Sequence, residues 1–362
     1  MRGRRRVGAG SCSAWLIIVL LLGPSGCVPA TIHPAGDTPL SAGSEAPRRA
    51  TMPYFTGHFF VTTDGERLPL RRWLPRGKMR AVILALHGFN DYDNAFASPG
   101  AAWADDGIAT YAYDQRGFGA APGRGRWPGS RALAIDAAAA CGVLHRLYPD
   151  IPIYLLGESM GGAVAIVTMT GESGASIPNV DGLILVAPAV WGRSTMGVLP
   201  RLALAVAARL APGLTLTGRG LHILASDNIP MLRALAHDPL VIKDTRVDTI
   251  YGLVNLMDAA LAAAPRLHVP LLLLYGAHDE VIPKLPIRRF VRSLPRDPAD
   301  PRSLAYYPKG YHMLLRDLDG RTPTADIAEW VDDARAPLPS GADRAASSAV
   351  WGGKNAERRG NS

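Results

Sequence analysis

Cysteine is nearly absent, with three residues in 362, at positions 12, 27 and 141. Cys12 lies inside a leader segment and Cys27 at its end, so Cys141 stands alone in the body of the chain and an internal disulfide is excluded. Cys141 sits in the Ala-rich run 137–144, as a packed thiol would. No Cys/His cluster and no Walker-type loop is present, so neither a metal nor an organic cofactor is expected. Charged residues are only 19% of the chain and aromatics 7%. No basic stripe with interleaved aromatics is found, which argues against nucleic acid as a partner. The net charge of +8 does not change this. Arg2, Arg4, Arg5 and Arg6 supply four of the positive charges, residues 1–26 hold no acid, and 8 − 4 leaves +4. What is abundant is apolar side chain, at 48%, enough for a sizeable core and too much for global disorder.

The first 26 residues read as a targeting segment. Arg2 to Arg6 form a positive region, and the apolar run Ala14–Leu22 is too short for a bilayer, which needs ~20 residues. Pro24-Ser25-Gly26-Cys27 follows. Its small-small-Cys ending resembles a bacterial lipobox, with Pro24 where an aliphatic residue is usual. The expectation is a signal peptide over 1–26, lipid on Cys27, and an exported protein held at a membrane of a bacterial cell envelope. Residues 27–52 are rich in Pro, Ala, Gly, Ser and Thr and read as a flexible tether. Residues 337–362 have the same character and are expected to be a disordered tail, in which Trp351 has no assigned role.

Between these ends, residues 53–336 alternate strand and helix. Strands are expected at 55–61, 68–73, 81–86, 108–113, 153–156, 183–187, 271–275 and 303–307, the first two an antiparallel pair joined through Asp64-Gly65. Helices are expected at 100–106, 131–148 with Ser130 as N-cap, 160–169, 286–294 and 324–334. This is an α/β domain with a mostly parallel, eight-stranded sheet flanked by helices. Residues 190–264 break the rhythm. They show helical signals at 199–210, 228–236 and 249–263 and no strand signal, and are expected to form a helical cap. Its apolar runs, Val198-Leu199, Leu202–Val206, Leu253-Val254 and Leu256-Met257, would line a greasy tunnel beneath it.

The chemistry concentrates at Gly157-Glu158-Ser159-Met160-Gly161. A short apolar strand precedes it and a buried helix follows, the context in which G-x-S-x-G is a nucleophile elbow. The turn strains Ser159 and is sterically tolerable only between small neighbours. A serine hydroxyl needs a base, and the base needs an acid. Asp279 follows the strand 271–275, with Glu280 as the near alternative. His312 is the only histidine downstream of Asp279. Asp114 also follows a strand but lies upstream of Ser159, and reads as a structural turn with an internal contact to Arg116. His87 reads as a loop-fixing residue and His278 as one that shapes its loop. The amides of Phe89 and Met160 are the expected oxyanion donors.

Leu86-His87-Gly88-Phe89, Tyr113–Gly119, Gly157–Gly162, Gly276–Pro283 and Tyr311–Leu315, in this order, resemble the monoacylglycerol lipase and lysophospholipase branch of the α/β-hydrolase fold, often labelled serine-aminopeptidase-like. The resemblance covers residues 55–336. It implies Ser159 as nucleophile, Asp279 and His312 as its partners, and Phe89 and Met160 as oxyanion donors. It also implies a lipid or other small ester as substrate, with no obligatory protein partner evident. Glu158 stands where many monoacylglycerol lipases carry His, and residues 90–94 are more acidic than usual there. A small-ester carboxylesterase and an aminopeptidase-like hydrolase remain alternatives within the enzymes. An aminopeptidase would want an acidic cluster near the pocket for the substrate amine, and Asp91, Asp93 and Glu158 could be misread as that cluster. A surface lipoprotein that only binds lipid or protein is the alternative outside them, against which the Ser, Asp, His order speaks.

Overall fold

The computed structural model describes residues 52–172, 174–218, 220, 223–296 and 301–349. The leader, Cys27, Trp351 and all of the tether but Met52 lie outside them. In chain order the elements are β1 (Tyr54–Phe55), β2 (Phe59–Val61), β3 (Arg67–Trp73), β4 (Ala81–Leu86), α1 (Ala97–Asp105), β5 (Ile108–Tyr113), α2 (Ser130–Leu147), β6 (Ile153–Glu158), α3 (Met160–Met169) and β7 (Gly182–Val186). There follow α4 (Val198–Leu210), β8 (Thr215–Thr217), α5 (Ile229–His237), β9 (Asp244–Arg246), α6 (Val247–Ala263), β10 (Leu271–Gly276), α7 (Lys284–Ser293), β11 (Arg302–Tyr307), α8 (Arg321–Asp332) and α9 (Ala342–Ala349).

Among the described residues the main sheet has nine strands, ordered β1-β2-β3-β5-β4-β6-β7-β10-β11. The six from β5 to β11 are parallel, and β1 to β3 are antiparallel. Nine replaces the expected eight because the stretch 55–61 is broken. The Thr56 hydroxyl oxygen accepts the amides of His58 and Phe59, and this turn divides β1 from β2. Ser130, expected to cap α2, is instead its first residue, and Gly129 takes the cap position at φ +93°.

Each central strand is buried on both faces, so the runs are apolar without alternation. In β4, Val82, Leu84 and Leu86 join the core under α2, α3, α6 and α7, whereas Ala81, Ile83 and Ala85 join the one under α1 and α8. Every residue of α3 is buried, so it is apolar all round. Cys141 lies in the first core, where burial pushes its thiol up to about 12.

Strand order reverses beside β4. The chain passes from β4 to β5 on one side and then to β6 on the other. A crevice opens at such a switch point, outside the carboxyl ends of the strands.

Three expectations are corrected. The insertion is not strandless, because β8 and β9 pair antiparallel within it. Its last helix, α6, belongs to the body, with Val254, Leu256, Met257 and Ala260 buried in the core shared with α3. The tail is ordered through residue 349. Leu338, Ala342 and Ala346 are buried, and Asp326 accepts bonds from the backbone amide and hydroxyl of Ser340. Their small side chains read as linker composition, but they pack closely where the opposite surface is supplied by β11 and α8.

Candidate active site

The site is built at the carboxyl edge of the parallel strands. Past β6, Ser159 takes φ +53° and ψ −114°, a conformation that costs an L-residue energy. The turn is held from both sides. Ser159 donates its amide to Val186 O at 2.9 Å, and its carbonyl accepts from Ala189 at 2.9 Å and Ala163 at 3.2 Å. Its neighbours leave no room for a side chain. A methyl at Gly157 would lie 2.3 Å from Gly161 O, and one at Gly161 would lie 2.0 Å from Leu86 O. Ser159 itself is half-buried, between the buried Glu158 and Met160.

Met160 opens α3 and Phe89 follows β4. Among the described residues neither amide donates to a protein acceptor. The loop carrying Phe89 is turned by Asn90 at φ +65° and fixed beneath by His87. His87 is fully buried. Its Nε2 accepts the Gln115 amide at 2.9 Å and its Nδ1 faces Gly88 O at 2.8 Å. One nitrogen accepting and the other donating requires a neutral ring, and burial likewise pushes its pKa down. His87 therefore fixes the loop, as expected from its position.

Past β10, Asp279 is held by its own loop. Its Oδ1 accepts the amides of Val281 and Ile282 at 2.9 and 2.8 Å. Its Oδ2 meets Nδ1 of His312, which lies past β11, at 2.9 Å. The pair is buried. Burial alone would lower the His312 pKa, but the Asp279 carboxylate outweighs it and the net shift is upward. Glu280 is exposed and accepts the Leu224 amide, so Asp279 is the acid brought to His312. His278 stacks on Tyr311 and donates its amide to Gly310 O, which shapes the loop.

Asp114 is a turn residue, accepting the amides of Asp93 and Ala120. Its expected contact with Arg116 is absent, because Arg116 turns to Asp64 and Asp136 instead. Burial raises the Asp136 carboxyl to about 6 even with Arg116 beside it.

The acids near the site are already paired. Asp93 meets Arg71 at 3.2 Å, and Asp91 and Glu158 share Arg316. Sequence reasoning missed Arg316. Its place four residues after His312 was visible, but no motif announced it.

The insertion sits over these loops and is bonded to them. Ile242 donates its amide to Asn90 O, and Asn90 Nδ2 donates to the Thr245 hydroxyl at 2.7 Å. Met313 donates to Ala225 O, the Ser226 hydroxyl bonds to Asp317, and the Tyr92 hydroxyl bonds to Asp238. The expected lining is corrected, however. Val198, Leu199, Leu202, Val206 and Leu210 of α4 face solvent, with Val198 76% and Leu210 81% exposed. Only Leu204 of that helix is buried. A cleft of about 950 Å³ runs between α1, α5 and the start of α8, with Asp91 and Arg316 in its wall. A second, of about 570 Å³, lies between the end of β11 and α9. Neither is lined by Ser159, Asp279 or His312, so volume alone does not mark the chemistry.

Comparison with known proteins gives a family match over residues 77–319, to the family described as "Serine aminopeptidase, S33". A monoglyceride lipase of Mus musculus is 27% identical over 307 residues, 82% of this chain and 98% of that one. A monoacylglycerol lipase of Mycolicibacterium smegmatis is 26% identical, over 76% of this chain and 96% of that one. Among solved structures, the monoacylglycerol lipase of Paleococcus ferrophilus superposes with a TM-score of 0.58 at 22% identity. It covers 73% of this chain and 98% of its own. That likeness speaks for the fold.

Proposed function

The chain belongs to the Serine aminopeptidase, S33 family of α/β-hydrolases, and from that membership and the site geometry we propose that it cleaves esters of single acyl chains with Ser159 as nucleophile. That it is a carboxylic ester hydrolase follows from its monoglyceride lipase relatives. One observation carries the finer reading, the buried Asp279–His312 pair set on the same sheet edge as a strained, half-exposed serine.

In the proposed reaction Asp279 holds His312 in the tautomer with its proton on Nδ1. The free Nε2 then takes the Ser159 proton as the hydroxyl attacks the ester carbonyl. The amides of Phe89 and Met160 receive the oxyanion, each such donor being worth roughly 3 kcal/mol. His312 returns the proton to the leaving alcohol, and water activated by the same imidazole releases the acid.

The acids that could be misread as an amine site for an aminopeptidase are already paired. A substrate ammonium would have to displace Arg316 from Asp91 and Glu158, and Arg71 from Asp93. Monoacylglycerol or lysophospholipid suits the reading better. The lipid anchor proposed at Cys27 would hold the enzyme near such substrates, and the exposed apolar row on α4 suits work at a lipid surface.

The test is a fluorophosphonate probe with wild type and Ser159→Ala, followed by a series of p-nitrophenyl esters and acylglycerols. The probe should label wild type only, and the variant should lose ~10⁶ in turnover. Because each buried CH₂ adds ~0.8 kcal/mol, kcat/KM should rise from C2 to C8, and monoacylglycerol should be cleaved faster than triacylglycerol. Equal labelling of both proteins would overturn the nucleophile. A profile flat beyond C4 would favour the small-ester reading.

A further inference from the structure

A single guanidinium joins three loops of the site. Arg316 closes the one-turn 3₁₀ helix Leu314–Arg316, four residues past His312. Its Nη1 reaches Asp91 Oδ2 at 2.7 Å and its Nη2 reaches Glu158 Oε1 at 3.0 Å. Asp91 is two residues past Phe89, and Glu158 is the residue before Ser159. All three side chains are at least nine-tenths buried, Glu158 almost completely. The backbone of Arg316 is fixed as well. Its amide donates to Met313 O at 2.7 Å, and its carbonyl accepts from Asn228 Nδ2 of the insertion at 3.0 Å.

Stability is a poor explanation for such a cluster. Three charges must be stripped of water, and apolar residues of the same volume often hold a core equally well or better. A guanidinium offers geometry instead. Its planar fork fixes two carboxylates at a set separation and direction, which a lysine ammonium does not. Here the two carboxylates belong to the loops of the proposed oxyanion amide and nucleophile, and the fork belongs to the loop of the proposed base.

We propose that Arg316 is a positioning residue that sets the relative places of Phe89, Ser159 and His312, and acts on turnover rather than on substrate affinity. This rests on the reading of Ser159 as nucleophile. The cluster also has an electrostatic side. The groups facing His312 are Asp279, on its Nδ1, and then Glu158 and Arg316. Glu158 favours the imidazolium and Arg316 opposes it. Asp91 is paired with Arg316, and the neutral His87 adds no charge.

Arg316→Lys keeps the charge and loses the fork, so it separates position from charge. A misplacement of about 1 Å can cost ~10²-fold. Arg316→Lys should therefore lose ~10²-fold in kcat on a soluble p-nitrophenyl ester, with KM within about threefold of wild type. The acid limb of its pH profile should stay in place, and fluorophosphonate labelling should slow in parallel with kcat. A kcat within about twofold of wild type, a loss confined to KM, or a loss that is only a displaced acid limb would each overturn the proposal. If Arg316→Lys does not fold, the neutral set Asp91→Asn, Glu158→Gln, Arg316→Met decides, since it leaves no unpaired charge. Folded with ~10²-fold lower kcat, it supports the proposal. Folded with wild-type kcat, or unfolded as well, it overturns it. Ser159→Ala is run beside these. If that variant stays active, the nucleophile reading has failed, whatever Arg316 does.

Discussion

Replacing Asp279 by Asn removes one charge and almost no volume, and the surrounding loop decides the outcome. The amides of Val281 and Ile282 both point at one side-chain oxygen, at 2.9 and 2.8 Å. Two donors need an acceptor, so the Asn carbonyl must face them and its NH₂ must face Nδ1 of His312. Nδ1 then has to accept, the ring proton moves to Nε2, and the lone pair that would take the Ser159 proton in the proposed reaction is gone. The geometry survives and the tautomer is wrong. A loss of ~10⁴ in kcat is expected, about 5.4 kcal/mol of transition-state stabilisation.

The pH dependence has a definite sign. In the proposed reaction His312 acts as a base when neutral, and Asp279 holds its pKa above the ordinary 6.5. In wild type kcat/KM should therefore rise with pH through a value above 6.5. In Asp279→Asn the attraction is gone, burial prevails, and the inflection of the residual activity should fall. Stability follows the same linkage. The contribution of the charged pair is fully present below 6.5, is lost as pH rises through the folded value, and should be absent from the variant. Steady-state hydrolysis of a p-nitrophenyl ester from pH 5 to 9 (~0.5-unit steps), with thermal melts at each pH, measures both effects. Glu280→Gln is the control and should change kcat by less than about twofold. Near-wild-type activity in Asp279→Asn with a collapse in Glu280→Gln would refute the reasoning.

Two further outcomes are expected. Gly161→Ala would put a methyl 2.0 Å from Leu86 O, a backbone atom at the centre of the sheet with no freedom to withdraw. It should cost at least ~3 kcal/mol of stability or move the elbow out of line. An unchanged melting temperature with full activity would show that the turn is less crowded than that distance implies. Cys27→Ser should move the protein from the detergent phase to the aqueous phase on phase partitioning. A wild type that is wholly soluble, with a mature terminus other than residue 27, would refute lipidation.

The elbow was legible in the sequence because everything it needs is local. A buried strand shows as an unbroken apolar run, and the small residues at 157 and 161 sit within two positions of the strained serine. Asp279 was legible because a residue just past a parallel strand must arrive at the same sheet edge as Ser159. The choice against Glu280 is made by the contact of Asp279 with His312, 33 residues on, while Glu280 is exposed and bonded to Leu224. His87, placed as a loop-fixing residue by its position, proved to be one by the bonds of both ring nitrogens. The apolar face of α4 was misread because Ala and Leu occur all round that helix. Periodicity indicates that a face exists, and only the neighbouring elements decide whether it is covered.

What the sequence determined by itself was therefore the alternating α/β layout, the strand ends that bear Phe89, Ser159, Asp279 and His312, and the order in which they come. These depend on side-chain period and on short-range steric limits, which any stretch of chain carries within itself. The tertiary structure alone decided that Asp91 and Glu158 share Arg316, across 225 and 158 residues respectively. It alone decided that α4 shows its leucines to solvent, and that a tail of linker-like composition packs as a helix on the last strand. Each of these depends on which distant surface supplies the opposite charge or the opposite wall, and that is fixed only when the strands have taken their places in the sheet.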